Sequence, residues 1–265
     1  METEMDKRID PFGTVDEAAA FYAEAFRKFI FLRGVISCPS KVVDPSEFKL
    51  PGQPTSLSQV FGIQLAEDFP RLFANRINAF SKDILSLTAW QQIRPEYESV
   101  RWHYLEHEFV YPLLRLALKE PSALKNQAIF SITKLATVLE ASANSHAIPA
   151  DVEINLTKLD LWASHWPRYD GFRTSISALN TRAFVSATRD FRNRDMHTLA
   201  PDFYGIVPAP NVRREKRDVL TTWKHEEPLE INPLIDILIE QHRAAINVLG
   251  EMRELLMARL EQPIA

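Results

Sequence analysis

The chain has 265 residues, of which 46% are apolar and 10% are aromatic, which excludes an intrinsically disordered protein and allows a packed core in one large domain or two small ones. The formal net charge of −4 excludes attraction of the whole molecule to nucleic acid or to anionic membranes, so such binding would require a local basic patch. The single cysteine, Cys38, excludes an internal disulfide and a zinc site made of cysteines alone.

The first ten residues, METEMDKRID, are polar and charged, and no apolar run approaches the roughly 20 residues that a membrane span needs. We therefore expect a soluble, cytoplasmic protein with no membrane partner. Glycine is scarce, at 7 residues, and the long segments repeat apolar residues with a period of about 3.6. These two features predict a mostly helical protein.

The first predicted helix begins at a capping box formed by Thr14 and Glu17 and ends at Gly34. Residues 37–55 contain four prolines and are predicted to form a loop. The helix should place its apolar side chains along one stripe. The stripe consists of Phe21, Tyr22, Ala25, Phe26, Phe29 and Ile30.

The second predicted helix begins at Ser56 and continues to about Ile93. Pro70 lies inside it and is expected to break or kink it, because proline cannot donate a backbone hydrogen bond. No internal repeat or low-complexity segment divides this region further. We assign residues 1–94 to an N-terminal helical layer or subdomain.

A third helix is predicted over 96–119, with Pro95 at its start and an interruption at Pro112. A fourth is predicted to follow Pro121, and a shorter helix to cover 152–165. The fourth carries apolar residues at helical spacing, which predicts that they face the core. These residues are Leu124, Ala128, Ile129, Ile132, Leu135, Ala136 and Leu139.

The next predicted helix runs from about Gly171 to Leu199, and its apolar arc contains Phe172, Ile176, Leu179, Ala183, Phe184, Ala187 and Phe191. The proline-rich and charged insertion 201–231 follows, where the segments GIVP and VLTTW could pair as a short hairpin. The last helix is predicted to begin with Asn232 as its N-cap and Pro233 at its first position. We expect residues 95–265 to form an antiparallel helical bundle, which makes the protein all-α apart from that insertion.

The end of the predicted Gly171–Leu199 helix carries the sequence ATRDFRNRDMHTLAP, which contains Arg192, Asn193 and His197. A guanidinium can hold a phosphate through two hydrogen bonds, and an imidazole can move a proton on and off a ribose 2′-hydroxyl or a leaving 5′-oxygen. Asn193 could orient either group. Arg192 and His197 are about 140° apart on a regular helix, so the backbone alone does not aim them at one point.

This segment resembles the motif of the HEPN superfamily, in which an arginine, usually followed by a polar residue, precedes a histidine by five to seven positions. The resemblance implies a helical bundle with Arg192 and His197 as catalytic residues and Asn193 as an auxiliary residue. It further implies a metal-independent endoribonuclease with no cofactor, which cleaves RNA by attack of the 2′-hydroxyl. Members of the superfamily usually dimerise, and many act in toxin–antitoxin or phage-defence systems, so a homodimer and an antitoxin or regulatory partner are expected.

Basic residues near this motif are candidates for contact with RNA. Arg189 and Arg194 lie in the motif segment, and the run NVRREKRD at 211–218 is the densest basic stretch of the chain. Its cations are Arg213, Arg214, Lys216 and Arg217. A charged run in a loop is usually only solvated. The functional alternative is that these cations supply the local positive field that the net charge lacks.

Two other interpretations remain open for the sequence. In the first, Arg192 is solvated, Asp190 and Arg194 form an ordinary ion pair, and the chain is a non-catalytic scaffold or binding module of the same fold. In the second, His103, Glu106 and His107 belong to a zinc hydrolase, because their H-x-x-E-H pattern places two histidines on one helix face. Such enzymes need a downstream glutamate ligand, and no glutamate occurs between Glu153 and Glu215.

Overall fold

The computed structural model describes residues 12–37, 43–47, 57–143, 155–196, 212–217, 220–225 and 229–261. In these ranges the chain forms a helical bundle with one short hairpin, so the predicted helical bundle is confirmed. Among the described helices, none carries the sustained apolar stretch that a bilayer span requires. The elements are α1 (Val15–Val35), α2 (Leu57–Ile93), α3 (Ser99–Leu105), α4 (Tyr111–Ala143), α5 (Leu156–Ala163), α6 (Tyr169–Ser177), α7 (Arg182–Ala187), α8 (Phe191–Met196), β1 (Val212–Arg217), β2 (Leu220–His225) and α9 (Ile231–Leu260).

The core is centred on α2, which packs against both α4 and α9. Apolar residues recur every three or four positions along α2, and they are fully buried because that spacing places them on one face. They include Phe73, Ile77, Phe80, Ile84 and Leu87. The apolar positions predicted for the fourth helix are all buried as well. One core cluster contains residues from both sides of position 94, and the division into two regions stays a prediction.

The two long helices continue through their prolines, so the helix boundary predicted at Pro121 is wrong, and Pro70 does not break α2. Pro70 lies inside α2 and Pro121 lies inside α4, so the predicted third and fourth helices are joined. An internal proline removes one hydrogen bond and costs about 3 kcal/mol or more. Burial of the apolar residues on both sides of each proline offsets that cost. These residues are Ala66 and Phe73 in α2, and Leu118 and Leu124 in α4.

The interruption predicted at Pro112 takes the form of a π-helical turn over Glu106–Val110, between α3 and α4. There the N–H of Tyr111 donates to the carbonyl of Glu106, five residues back. Pro112 has no N–H to donate, so the hydrogen-bond ladder is rearranged around it. The turn changes which side chains of this segment face the core, and it buries Glu106.

The capping box at the start of α1 is confirmed. The Thr14 hydroxyl accepts a hydrogen bond from the backbone N–H of Glu17 at 3.2 Å, and the Glu17 carboxylate accepts one from the N–H of Thr14 at 3.1 Å. Each bond satisfies a backbone donor that the first helical turn would otherwise leave unpaired. The helix ends at Val35, one residue after the predicted end at Gly34.

The apolar stripe of α1 is buried only in part. Phe21, Ala25 and Phe29 are buried in the core, whereas Phe26 is 44% exposed and Ile30 is 56% exposed. The predicted stripe therefore contains both core and surface positions. The reason is that α1 lies at the edge of the bundle and packs mainly on α2, so only the narrow face toward that helix is covered.

The start of α9 also differs from the prediction. Its N-cap is Glu230, so Asn232 and Pro233 lie inside the first turn instead of forming the cap and the first position. Proline is tolerated there because the first N–H groups of a helix have no partner within the helix. Farther along, α9 buries three polar or charged side chains, Gln241, His242 and Arg259, among its apolar contacts.

A two-stranded antiparallel hairpin precedes α9, with Val212 opposite His225 and Arg217 opposite Leu220. The expectation of a hairpin is met, and its second strand contains most of the predicted VLTTW segment. The first strand is VRREKR, so the predicted pairing with GIVP is wrong, and GIVP itself lies outside the described residues. Neighbouring segments pair across a short connection more readily than distant ones. The basic run predicted as a loop is consequently a strand over most of its length.

The imidazole of His242 is fully buried in the core, with its ring centroid 5.8 Å from that of Phe80 on α2. Burial lowers the pKa of His242, and the nearby backbone of Ile77 acts in the opposite direction without cancelling it. The unfolded chain therefore binds a proton at this histidine more readily than the folded chain does. The neutral form of His242 therefore contributes to the stability of the fold. Its contribution is fully present above the unfolded pKa of about 6.5 and is lost as the pH falls through the folded pKa.

We expect the free energy of unfolding of the wild type to fall between pH 7.5 and pH 5.5 by more than that of His242→Leu, which cannot titrate at this position. Urea unfolding of both proteins at the two pH values measures the difference. Comparing the change in unfolding free energy between the two pH values in both proteins removes the contributions of the other titrating groups that they share. Equal losses in both proteins would show that His242 does not contribute to the pH dependence.

Candidate nucleic-acid interface

The segment that carries Arg192 is divided into three short helices, α6, α7 and α8, and the single predicted helix from Gly171 to Leu199 is wrong. The predicted apolar arc is disrupted accordingly. Its aromatic and large aliphatic members are buried, but Ala183 and Ala187 are exposed. The turns between the helices rotate each helix separately, so angles drawn on one continuous helical wheel do not apply to this segment.

The first break lies between α6 and α7. Asn180 has a left-handed backbone with φ 50°, a conformation that asparagine tolerates better than most residues. Its N–H donates to the Gln241 side chain of α9 at 2.7 Å, and Thr181 then caps α7 by accepting from the N–H of Phe184 at 3.1 Å. The glutamine and the cap replace the helical hydrogen bonds that the break removes.

The second break lies immediately before α8. Arg189 and Asp190 both adopt left-handed backbone conformations, with φ 52° and φ 54°. Two consecutive non-glycine residues in this region are strained, and such strain tends to cluster at functional sites. The N–H of Asp190 donates to the carbonyl of Val185 at 2.7 Å, which closes the turn. The break gives α8 its own direction at the surface.

The side chains of Arg192 and Asn193 on α8 are exposed. They border a concavity of about 180 Å³, whose floor includes the buried rings of Phe184 and Phe191. Asp190 lies on the same rim, and the Asn193 amide donates to its two carboxylate oxygens at 2.9 and 3.1 Å. The site thus combines a guanidinium at the surface with an oriented amide–carboxylate pair.

Asp195 attaches α8 to α4. The Nε of Arg115 donates to Oδ1 of Asp195 at 3.0 Å, Nη2 of Arg115 contacts the same oxygen, and Lys119 pairs with Oδ2. The Asp195 side chain is 5% exposed, whereas those of Arg115 and Lys119 are 53% and 37% exposed. Burial alone would raise the pKa of Asp195, but the hydrogen bonds from Lys119 and Arg115 outweigh burial and lower it. The carboxylate is therefore ionised at neutral pH.

The remaining sequence candidates are distributed as follows. Arg189 and Arg194 are half-buried beside the exposed Arg192. The basic residues of the 211–218 run lie on β1, and their contact with RNA stays a prediction. These residues are Arg213, Arg214, Lys216 and Arg217. His197 follows the last residue of α8 and lies outside the described residues, so its role also stays a prediction.

The alternative zinc site at His103, Glu106 and His107 is reshaped by the π turn. The two imidazole centroids are 6.0 Å apart, and Glu106 is buried at 2% exposure while His107 is exposed. Burial raises the pKa of Glu106, and the nearby polar groups of Tyr111, Arg94 and Trp102 oppose it only in part. In the described part of the chain, no three His, Cys, Asp or Glu side chains are grouped so that they could hold a metal ion.

Sequence reasoning missed Arg115, Lys119 and Asp195 as members of this site. The two cations are four residues apart on α4 and so share a helix face, which was a readable signal of a basic patch. Their partner lies 80 residues away from Arg115 in the chain, a distance across which a single sequence gives no pairing signal. The carboxylate also lies inside the motif, where only the arginine, asparagine and histidine drew attention.

Comparison with known proteins adds no relative to this picture, because no protein family, curated protein or solved structure matches the chain.

Proposed function

We propose that the protein is a metal-independent endoribonuclease of the HEPN type, with Arg192 and His197 as catalytic residues and Asn193 as an auxiliary residue. The observation that carries the proposal is the presentation of Arg192 and Asn193 at the surface on α8. Strained residues precede this helix, a concavity borders it, and Asp195 attaches it to α4. Strain, exposed polar groups and a rigid attachment together are more typical of a functional site than of a solvated helix face.

In the proposed reaction, the ribose 2′-oxygen attacks the adjacent phosphorus and the bond from phosphorus to the 5′-oxygen breaks. His197 accepts the proton of the 2′-hydroxyl or donates one to the leaving 5′-oxygen. Arg192 binds the non-bridging phosphate oxygens and offsets the negative charge that develops on them. The products are a 2′,3′-cyclic phosphate on one fragment and a 5′-hydroxyl on the other.

A homodimer is part of the proposal. Arg192 is exposed on the single chain, so it is available to a cleft shared with a second copy. In a symmetric dimer the same α8 surface meets itself across the two-fold axis, which would bring Arg192 of one copy close to the motif of the other. The resemblance also implies an antitoxin or regulatory protein as a partner, in a toxin–antitoxin or phage-defence setting.

A second candidate is a non-catalytic module of the same fold that binds a protein or a nucleotide. The exposure of Arg192 favours a binding surface, because its side chain is available to a partner. The concavity, at about 180 Å³, would hold only part of a nucleotide. Pockets that enclose a drug-sized ligand are larger, at about 300 Å³ or more. RNA binding without cleavage would favour this candidate.

The proposal is tested by incubating the purified protein with RNA in the presence and absence of EDTA and analysing the fragment ends. We expect cleavage in both conditions and fragments that end in a 2′,3′-cyclic phosphate. Intact RNA in both conditions would contradict the nuclease. Cleavage that EDTA abolishes and His103→Ala also removes would favour the zinc alternative instead.

A further inference from the structure

The helix that carries the motif is too short to hold its own position. α8 has six residues, whereas isolated helices shorter than about 12 residues are marginal in water. Its orientation therefore depends on contacts with the rest of the bundle. At its start the ring of Phe191 is buried, at 1% exposure. One turn later, the Asp195 side chain pairs with Arg115 and Lys119 of α4.

The geometry of the Asp195 contact restricts α8 more than a single ion pair would. Each oxygen of the carboxylate pairs with a different cation, and both cations project from the same stretch of α4. Sliding or rotating α8 would break at least one of the two pairs. The carboxylate is almost fully buried, whereas Arg115 and Lys119 are 53% and 37% exposed, so solvent screens the pairs in part and their main effect is on the orientation of α8.

The contact is also close to both proposed catalytic residues. Arg192 lies one turn before Asp195 on the same helix, and His197 is two residues after it in the chain. The Cα atom of each is therefore at most about 7 Å from the Cα atom of Asp195. A displacement of Asp195 therefore moves Arg192, which lies on the same short helix. We infer that Asp195 is the positioning residue of the motif, which it fixes against α4 through Arg115 and Lys119. This role rests on the proposed function.

The test is Asp195→Asn, which keeps the shape of the side chain and removes its charge. Misplacement of catalytic groups by about 1 Å can cost roughly 100-fold, so we expect kcat for RNA cleavage to fall roughly 10- to 100-fold. The KM for RNA should not rise, because the surface beside Arg192 gains one unit of positive charge. Simple loss of folded protein would instead lower the amount of active enzyme in proportion to the folded fraction measured by circular dichroism.

Three further variants make the result specific. Asp195→Glu keeps the charge and should retain more activity than Asp195→Asn. Lys119→Gln removes one of the two cations and should give an intermediate loss of kcat. Asp236→Asn makes the same charge change at an exposed carboxylate on α9 and should leave kcat unchanged. An equal loss in Asp195→Asn and Asp236→Asn would overturn the positioning role.

Hydrogen exchange tests the attachment of α8 without RNA. Amides of α8 should exchange faster in Asp195→Asn than in the wild type, while those of α2 should not change. If the wild type cleaves no RNA but α8 is loosened, the proposed function fails and the attachment stands. Unchanged exchange in α8 together with unchanged kcat would overturn the inference, and a rise in KM at unchanged kcat would assign Asp195 to RNA binding instead.

Discussion

Arg192→Ala is expected to reduce kcat for RNA cleavage about 10²- to 10³-fold, the loss typical of removing one group that stabilises charge in the transition state. His197→Ala is expected to reduce it about 10²- to 10⁴-fold, because proton transfer then falls to water. Arg192 is exposed, so its removal should leave the melting temperature within the change that surface substitutions usually cause. Gel-based cleavage assays on variants of verified fold measure both losses.

Arg243→Ala is the matched control for Arg192→Ala, because it removes an exposed arginine from α9 and should retain full activity. The kcat of the double variant Arg192→Ala/His197→Ala should be only slightly lower than that of the less active single variant, since groups that act as a unit give non-additive losses. Cleavage by Arg192→Ala at the wild-type rate would remove this residue from the mechanism. It would also point to a contaminating nuclease as the source of the activity.

Phe80→Ala is expected to cost about 3–5 kcal/mol of unfolding free energy, because it deletes a large side chain from the middle of the core. Phe80 is fully buried on α2, and its ring centroid lies 5.8 Å from that of the buried His242 of α9. The surrounding helices cannot collapse fully into the space that its ring vacates, so a cavity adds to the lost burial. Urea unfolding followed by circular dichroism measures the change.

Phe31→Ala is the matched control for Phe80→Ala. The Phe31 side chain is 67% exposed on α1, so its truncation should change the unfolding free energy by no more than about 0.5 kcal/mol. The two variants make the same chemical change and differ only in burial. A loss of similar size in both would mean that the α2–α9 contact does not carry the core.

The helical periodicity of the sequence predicted the bundle where local and tertiary preferences agree. The capping box at Thr14 and the buried positions of α4 after Pro121 follow directly from capping chemistry and from helical spacing. The boundary predicted at Pro121 was wrong, and Pro70, predicted to break or kink α2, does not break it, because packing on both sides of each proline outweighs the lost hydrogen bond. Local rules give the cost of proline and not the tertiary energy that offsets it.

The motif segment shows the opposite error, since a continuous helix was predicted where the chain turns twice. Asn180 and Thr181 form a recognisable asparagine and N-cap pair, and this signal was available in the sequence. The Gln241 contact that supports the first turn comes from α9 and was not. Arg189 and Asp190 carry no strong turn signal, so their left-handed conformations could not be predicted.

The residue types of the candidate site could be predicted from the sequence, but the contacts that attach the site to the bundle could not. Arg192 and Asn193 could be selected from the motif, and the structure presents both at the surface. The ion pairs that attach α8 to α4 join residues too distant in the chain for pattern reasoning to link. His197 lies outside the described residues, so its position relative to Arg192 stays a prediction.

Subunit complementation tests the shared cleft most directly. Equal amounts of Arg192→Ala and His197→Ala are mixed, unfolded and refolded together, or the two variants are co-expressed. Half of the dimers then contain one copy of each variant. If Arg192 of one copy acts with His197 of the other, every mixed dimer regains one intact cleft, and the mixture recovers about a quarter of wild-type activity. A mixture that forms mixed dimers and stays as inactive as its two components would contradict a cleft built from both copies.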